Sequence, residues 1–426
     1  MTLRTESRFA LLAVLTLHVF TPRVLRAEPP SGVPATVIAT GTSFQTGSGF
    51  SKAPSETVPG EPSSSEVSVP AGNPWTETRE EFTSGGPQIQ ARLSGTLTMP
   101  VGDGAPYPSM VLISESGPID RDESWGNENG TFRELARSLA TRGIATLRYD
   151  PRGFGESTGN FLDAGIYDFG QDATAALIHL STRQGVDPNR LFLLGHGYGA
   201  KVALIAALRY PLIAGVVLLA GILDPEPTNL NRALKFQHEV EGISPEDTEK
   251  ALADRNYFIQ NLVNGRYCIP EDYFNDPALA QWISQGMIVN PQGPAWWRDN
   301  LIFNAEEAAQ RIYSPILAIL GQNDWIVPAE RTQEILQGIR VAGKTNLEVQ
   351  ILEGLDHRFI WMSSRRKAFQ FDKDLLLNKP EASFPISDQV PQSLETWIRE
   401  RTGEKAAPGT PSGQETPHIK SSLPDL

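Results

Sequence analysis

Three short stretches hold residue types suited to acid–base and nucleophilic chemistry. They are Gly195-His-Gly-Tyr-Gly199, Gly321-Gln-Asn-Asp324 and Glu353-Gly-Leu-Asp-His357. A carboxylate and a histidine at the ends of buried strands are the residue types of an acid–base pair. With a nucleophile at a third strand end they would suit acyl transfer. The place for that third group is the first stretch. Four apolar residues, Leu191-Phe-Leu-Leu194, run into its glycines, and a small-residue helical pattern follows over 198–209. Strand, very tight turn and helix in that order present one residue at the tip of the turn. That residue is Gly197, which has no side chain to attack with.

The elements that must position these residues follow from the hydrophobic pattern. Alternation over 76–83 and 90–99, with Gly85-Gly-Pro87 between, predicts an antiparallel hairpin. Apolar strands are predicted at 109–114, 144–149, 190–194, 215–220, 315–320 and 347–352. Helical spacing occupies 131–142, 167–183, 198–209, 328–339 and 391–401. Strands alternating with helices after a leading hairpin imply an α/β fold: a mostly parallel sheet covered on both faces. In such sheets ligands bind beyond the carboxyl ends of the strands, which is where positions 197, 324 and 357 fall. From Gly221 to about Ile312 the alternation stops, and a helical, aromatic-rich segment with Trp282, Trp296 and Trp297 intervenes. It is expected to be a cap subdomain inserted between two sheet strands. Its aromatics suit either the cap's own core or the wall of a substrate pocket.

The rest of the chain bounds the possibilities. It has 426 residues and a formal net charge of −13, which argues against nucleic acid or an anionic membrane as partner. The one cysteine, Cys268, forms no intrachain disulfide and offers no metal cluster. Residues 1–27 read as a secretory signal, with Arg4 and Arg8 before a short apolar run ending at Phe20. Export to a periplasm or beyond is the expectation, with no membrane insertion of the mature chain. Residues 28–74 are rich in Pro, Ser, Gly and Thr and are expected to be a disordered linker, as is the tail 404–426. The folded domain is expected over 75–403. There is no P-loop, no dinucleotide fingerprint and no cofactor or metal motif.

In this order and on these elements, the motifs resemble those of α/β hydrolases of the serine-aminopeptidase (S33) or cinnamoyl-esterase-like type, many of them exported carboxylesterases. The resemblance runs from about Trp75 to Arg401. It is carried by Ser116-Gly-Pro-Ile-Asp-Arg-Asp122, Arg148-Tyr-Asp-Pro-Arg-Gly-Phe-Gly-Glu-Ser157, the glycine-rich turn, Trp296-Trp-Arg-Asp299, Gly-Gln-Asn-Asp324 and Gly-Leu-Asp-His357. It implies that Asp324 orients His357, that His357 is the general base, and that the Tyr198 backbone N–H and Ser116 line an oxyanion hole. Small esters, amides or acyl compounds are the implied ligands.

Two departures stand against that pattern. Gly197 stands where the resemblance implies a serine, so no acyl-enzyme forms there. Glu115 stands where these proteins carry a small residue, often glycine, and a carboxylate beside an oxyanion hole opposes developing negative charge. Three readings of Gly197 remain open. One is a pseudoenzyme or a non-catalytic ligand-binding protein. Another is a His357–Asp324 enzyme working without a covalent step. The last is an isolated change on an active background. Because Asp324 and His357 remain, Gly197→Ser is expected to restore esterase activity. His196 and His179 are expected to pack or hydrogen-bond locally. Asp150 and Arg152 should fix a turn. Arg121 and Asp122 suit either substrate contact or an internal salt bridge. Ser114, Ser157 and Ser314 lie outside any strand–turn–helix elbow and are discounted as nucleophiles.

Overall fold

The computed structural model describes residues 72–85, 90–115, 117, 119–124, 130–264, 293–378 and 385–403. The expected signal segment, nearly all of the linker, the tail, Trp282 and Ser116 lie outside the described residues. Eight strands form one sheet: β1 (Trp75–Ser84), β2 (Ala91–Pro100), β3 (Tyr107–Ile113), β4 (Ala145–Tyr149), β5 (Val186–His196), β6 (Gly215–Leu219), β7 (Ile316–Gly321) and β8 (Leu347–Leu352). Their spatial order is β1-β2-β4-β3-β5-β6-β7-β8. β2 is antiparallel to both β1 and β4, and β3 to β8 run parallel. The leading hairpin and the parallel sheet are those the alternation implies.

The side-chain period of two sorts each strand between two cores. Val111, Ile113, Leu191, Leu193, Val216, Leu218, Ile316 and Ala318 face one side. There they meet α2 (Ile166–Ser181), α3 (Gly199–Arg209) and α8 (Ala329–Val341). Their neighbours Met110, Leu112, Phe192, Leu194, Val217, Leu219, Leu317 and Ile319 face the other. These pack against α1 (Thr131–Ala140) and α10 (Gln389–Thr402), where Trp397 lies edge-on to Phe192 at 5.8 Å. Strands buried on both faces read as continuous apolar runs for this reason.

Between β6 and β7 come α4 (Glu226–Glu241), α5 (Pro245–Val263), α6 (Pro294–Ile302) and α7 (Ala305–Arg311). This is the helical segment that interrupts the alternation. Trp296 and Trp297 on α6 are both buried in the larger core. One further helix, α9 (Arg365–Asn378), lies in a stretch without a clear apolar period. Its Phe369 meets Trp325 edge-on at 5.1 Å, and its Asp372 accepts from the Trp325 indole N–H at 2.7 Å.

Candidate active site

Sheet register brings the site together. Ile113 on β3 is paired with Gly195 on β5. Two residues further along each of these adjacent strands stand Glu115 and Gly197. The turn after β5 is tight because Gly195 and Gly199 leave no room for side chains. A Cβ on Gly195 would lie 2.1 Å from the Gly199 carbonyl oxygen. Gly197 has φ +49°, the left-handed geometry of a strand-to-helix elbow, and opens α3 through Tyr198. The tight turn is as the sequence indicates.

Glu115 fills the space that Gly197 leaves empty. A Cβ on Gly197 would fall 1.5 Å from Glu115 Oε2 and 3.0 Å from Oε1. The carboxylate therefore occupies the volume of a residue-197 side chain. Its Oε1 accepts the Tyr198 backbone N–H at 3.0 Å, and its Oε2 accepts from His357 Nε2 at 3.1 Å. The N–H that the resemblance assigns to an oxyanion hole is thus engaged by this chain's own carboxylate. The side chain of Glu115 is only 12% exposed, so it points into the protein rather than to solvent.

The structure brings His357 and Asp324 together beside Glu115. His357 Nδ1 donates to Asp324 Oδ2 at 2.8 Å. Asp324 is fully buried, and its other oxygen accepts the N–H groups of Ile326 and Val327, both at 2.8 Å. Both nitrogens of His357 therefore face carboxylate oxygens, which can only accept when ionised. This arrangement favours the protonated ring. Burial alone would depress its pKa, but Asp324 and Glu115 outweigh burial and hold it well above the ordinary histidine value. A serine mechanism needs the opposite resting state, with Nε2 free to accept a hydroxyl proton.

A second imidazole lies beneath the first. His196 stacks on His357 with ring centroids 4.9 Å apart and 30° between planes. Its Nε2 donates to the His357 carbonyl at 2.9 Å, and its Nδ1 donates to Glu123 at 3.0 Å. Burial opposes its charge, yet the Glu123 carboxylate raises its pKa. Glu123 also accepts the backbone N–H of Glu115 at 2.8 Å. One buried carboxylate thus ties His196 to the loop that carries Glu115. The sequence marks His196 as locally bonded. It gives no sign that Glu123, at φ +52° and 1% exposed, is the anchor.

The other candidates are structural. Arg121 donates to both oxygens of Asp150, at 2.6 and 3.1 Å, and Asp122 accepts from Arg133 and Arg148, each at 2.6 Å. Arg152 forks onto buried Asp172 at 2.6 and 2.7 Å. Ser157 Oγ donates to the Asp150 carbonyl at 2.8 Å, Ser314 Oγ to that of Ile213 at 2.8 Å, and His179 Nε2 to Glu80 at 2.7 Å. Ser116, assigned above to the oxyanion hole, is outside the described residues. Among the described residues, no group of His, Cys, Asp and Glu could hold a metal ion, and no helix is long and apolar enough to cross a membrane. Beside Glu115 is a cavity walled by Tyr149, Phe161, Phe169, Val202 and Trp296.

Comparison with known proteins adds a family. Residues 125–361 match the family model described as serine aminopeptidase, S33. The matched range covers the elbow, Asp324 and His357, and leaves Glu115 outside. Esterase EstD of Thermotoga maritima is 30% identical over 268 residues, 63% of this chain and 58% of that protein. Human monoglyceride lipase is 31% identical over 104 residues, 24% of this chain and 34% of the lipase. The chain thus spans less than two thirds of the length of either. Among solved structures, the α/β hydrolase GrgF from Penicillium sp. sh18 aligns with a TM-score of 0.47 and 18% identity, covering 77% of this chain and 99% of that one. With the match to the family model running over more than half of its length, the chain belongs to the serine aminopeptidase S33 family of α/β hydrolases.

Proposed function

We propose that this chain is an α/β hydrolase of esterase descent that lacks the serine acyl-enzyme route, its centre rebuilt as a Glu115–His357–Asp324 relay. The observation that carries the reading is the 1.5 Å approach between Glu115 Oε2 and a Cβ on Gly197. The two positions compete for one volume: the carboxylate sits where a residue-197 side chain would be, and a serine there requires the carboxylate to move. The reading of Gly197 as an isolated change on an active background therefore loses support. Gly197→Ser alone must displace the Glu115 carboxylate, so any esterase activity it regains should lie well below that of a variant in which Glu115 is also removed.

The cavity beside Glu115 takes a small, mainly apolar ligand, of the ester or acyl class by the relatives' descent. The helices α4 to α7 act as its cap, since Trp296 comes from α6. An apolar leader over 1–27 and a Pro- and Ser-rich stretch over 28–74 support export and a linker ahead of a folded domain at 75–403.

The test is labelling by a fluorophosphonate probe together with turnover of p-nitrophenyl acetate. Native protein should show neither above background, and the double variant E115G/G197S should show both, well above Gly197→Ser. Serine labelling in the native protein would overturn the proposal.

A further inference from the structure

We propose that Glu115 is itself a nucleophile, and that the site hydrolyses short primary alkyl halides through an ester formed on Glu115. This rests on the reading of the site as a non-serine relay. Three observations point to it. A carboxylate stands where the attacking atom of a serine hydrolase would stand, and carboxylates serve as covalent nucleophiles. Its two oxygens differ: Oε1 is pinned by the Tyr198 N–H, and Oε2 faces the base. Trp296, which walls the same cavity and is 3% exposed, has an indole N–H buried without an acceptor among the described residues.

The arrangement selects the reaction. With Oε1 on the Tyr198 N–H, that donor is closed to a substrate carbonyl, so acyl substrates lose the stabilisation they need. Displacement at a saturated carbon needs no oxyanion hole in its first step. Glu115 Oε2 forms a bond to the alkyl carbon, the carbon–halogen bond breaks, and its electron pair leaves as halide. The N–H of Trp296, a residue of the same cavity wall unpartnered there among the described residues, is assigned to that anion. Alkylation removes the charge on Glu115, one of the two carboxylates that hold His357 protonated, and the imidazolium proton departs with the halide.

Neutral His357 then takes a proton from water as the water oxygen attacks Glu115 Cδ. The negative charge develops on Oε1, already on the Tyr198 N–H. Collapse breaks the alkyl–oxygen-to-Cδ bond. His357 protonates the departing alkoxide, and the new carboxylic acid returns its proton to His357. Alkyl halide and water become alcohol, halide and a proton, with nothing oxidised or reduced. The oxyanion hole serves the enzyme's own carbonyl oxygen in the second step, which gives its occupation by Oε1 a catalytic meaning. The aromatic wall of Tyr149, Phe161 and Phe169 suits a short alkyl chain.

The test uses the full chain with 1-bromobutane. Native protein should release bromide. After a single turnover in heavy-oxygen water, the peptide bearing Glu115 should gain one heavy oxygen. His357→Gln should stop at the ester, read as a butyl adduct on Glu115 by mass spectrometry. Trp296→Phe should cut bromide release on the order of tenfold, the scale of one lost hydrogen bond in the transition state. No bromide release and no butylation by native protein, or butylation at another residue, would overturn the proposal. The native measurements stand whether or not the variants fold. Failure here with no serine labelling sinks this inference alone, whereas fluorophosphonate labelling of a serine sinks the relay reading as well.

Discussion

Restoring a serine tests the coupling of Gly197 and Glu115 most directly. In Gly197→Ser, the new Cβ would stand 1.5 Å from Glu115 Oε2, so the carboxylate must swing away. It then loses its bonds to the Tyr198 N–H at 3.0 Å and to His357 at 3.1 Å. Hydrogen bonds to charged groups are worth about 1.5–3 kcal/mol each, so the two together come to roughly 3–6 kcal/mol. A Cβ at φ +49° adds about 1–2 kcal/mol. The single variant should lose roughly 4–8 kcal/mol, a large part of a typical domain's stability. Glu115→Gly alone forfeits the same two bonds, at about 3–6 kcal/mol. In E115G/G197S those bonds are lost only once, so the double variant should be near roughly 4–8 kcal/mol rather than the sum of the singles. Urea unfolding of the four proteins measures this as a favourable coupling of about 3–6 kcal/mol. If the losses add to within about 0.5 kcal/mol, the two positions are independent and the account of the site is wrong.

Other consequences follow from the same network. Glu115→Gln removes one of the carboxylates that outweigh burial at His357, so the His357 pKa should fall, read by NMR titration of its ring. In the native protein that pKa lies above the unfolded value. The stability it confers is therefore full below the unfolded histidine pKa of about 6.5 and is lost as pH rises through the folded one, a slope that Glu115→Gln should flatten. Glu123→Ala leaves the buried His196 ring and the Glu115 N–H without their acceptor. It should cost about 3–5 kcal/mol by urea unfolding. Asp356, beside His357, is pushed up to about 7, chiefly by burial and then by Asp372. Its raised pKa makes the fold lose stability as pH rises toward that value, so Asp356→Asn should stabilise the protein at alkaline pH by about 2–4 kcal/mol.

Legibility tracked locality. The elbow could be read because strand, glycines and helix are contiguous, and because Gly195 is forced by backbone contacts with Gly199 and Ala200 within that one turn. Asp324 and His357 could be read because each lies just past a buried strand, β7 or β8, in chain order. The orientation of Glu115 could not. It depends on the Ile113–Gly195 register of two strands distant in sequence, and on the space left by an absent side chain. Glu123 escaped notice for the same reason: its partners are a backbone N–H eight positions away and His196 on another strand. Helix α9 escaped for a different one. It is held to the fold by Trp325 through Phe369 and Asp372, and those contacts leave no apolar period along the helix.

The charges explain why Glu115 can sit where it does. Glu115, Glu123 and Asp324 place three carboxylates around His196 and His357, and every ring nitrogen of the two histidines faces an acceptor. A carboxylate moved into an ordinary oxyanion hole would be an uncompensated buried charge, at a cost of several kcal/mol. Here it finds an imidazolium on one oxygen and a backbone N–H on the other. The same bonds that make the charge tolerable convert His357 from a proton acceptor into a proton donor at rest. Gly197 and Glu115 therefore act together in electrostatic terms. Gly197 by itself would leave a neutral base with nothing to activate, and Glu115 by itself would collide with the nucleophile. Together they give a resting ion pair whose histidine becomes a base only when the charge on Glu115 is consumed.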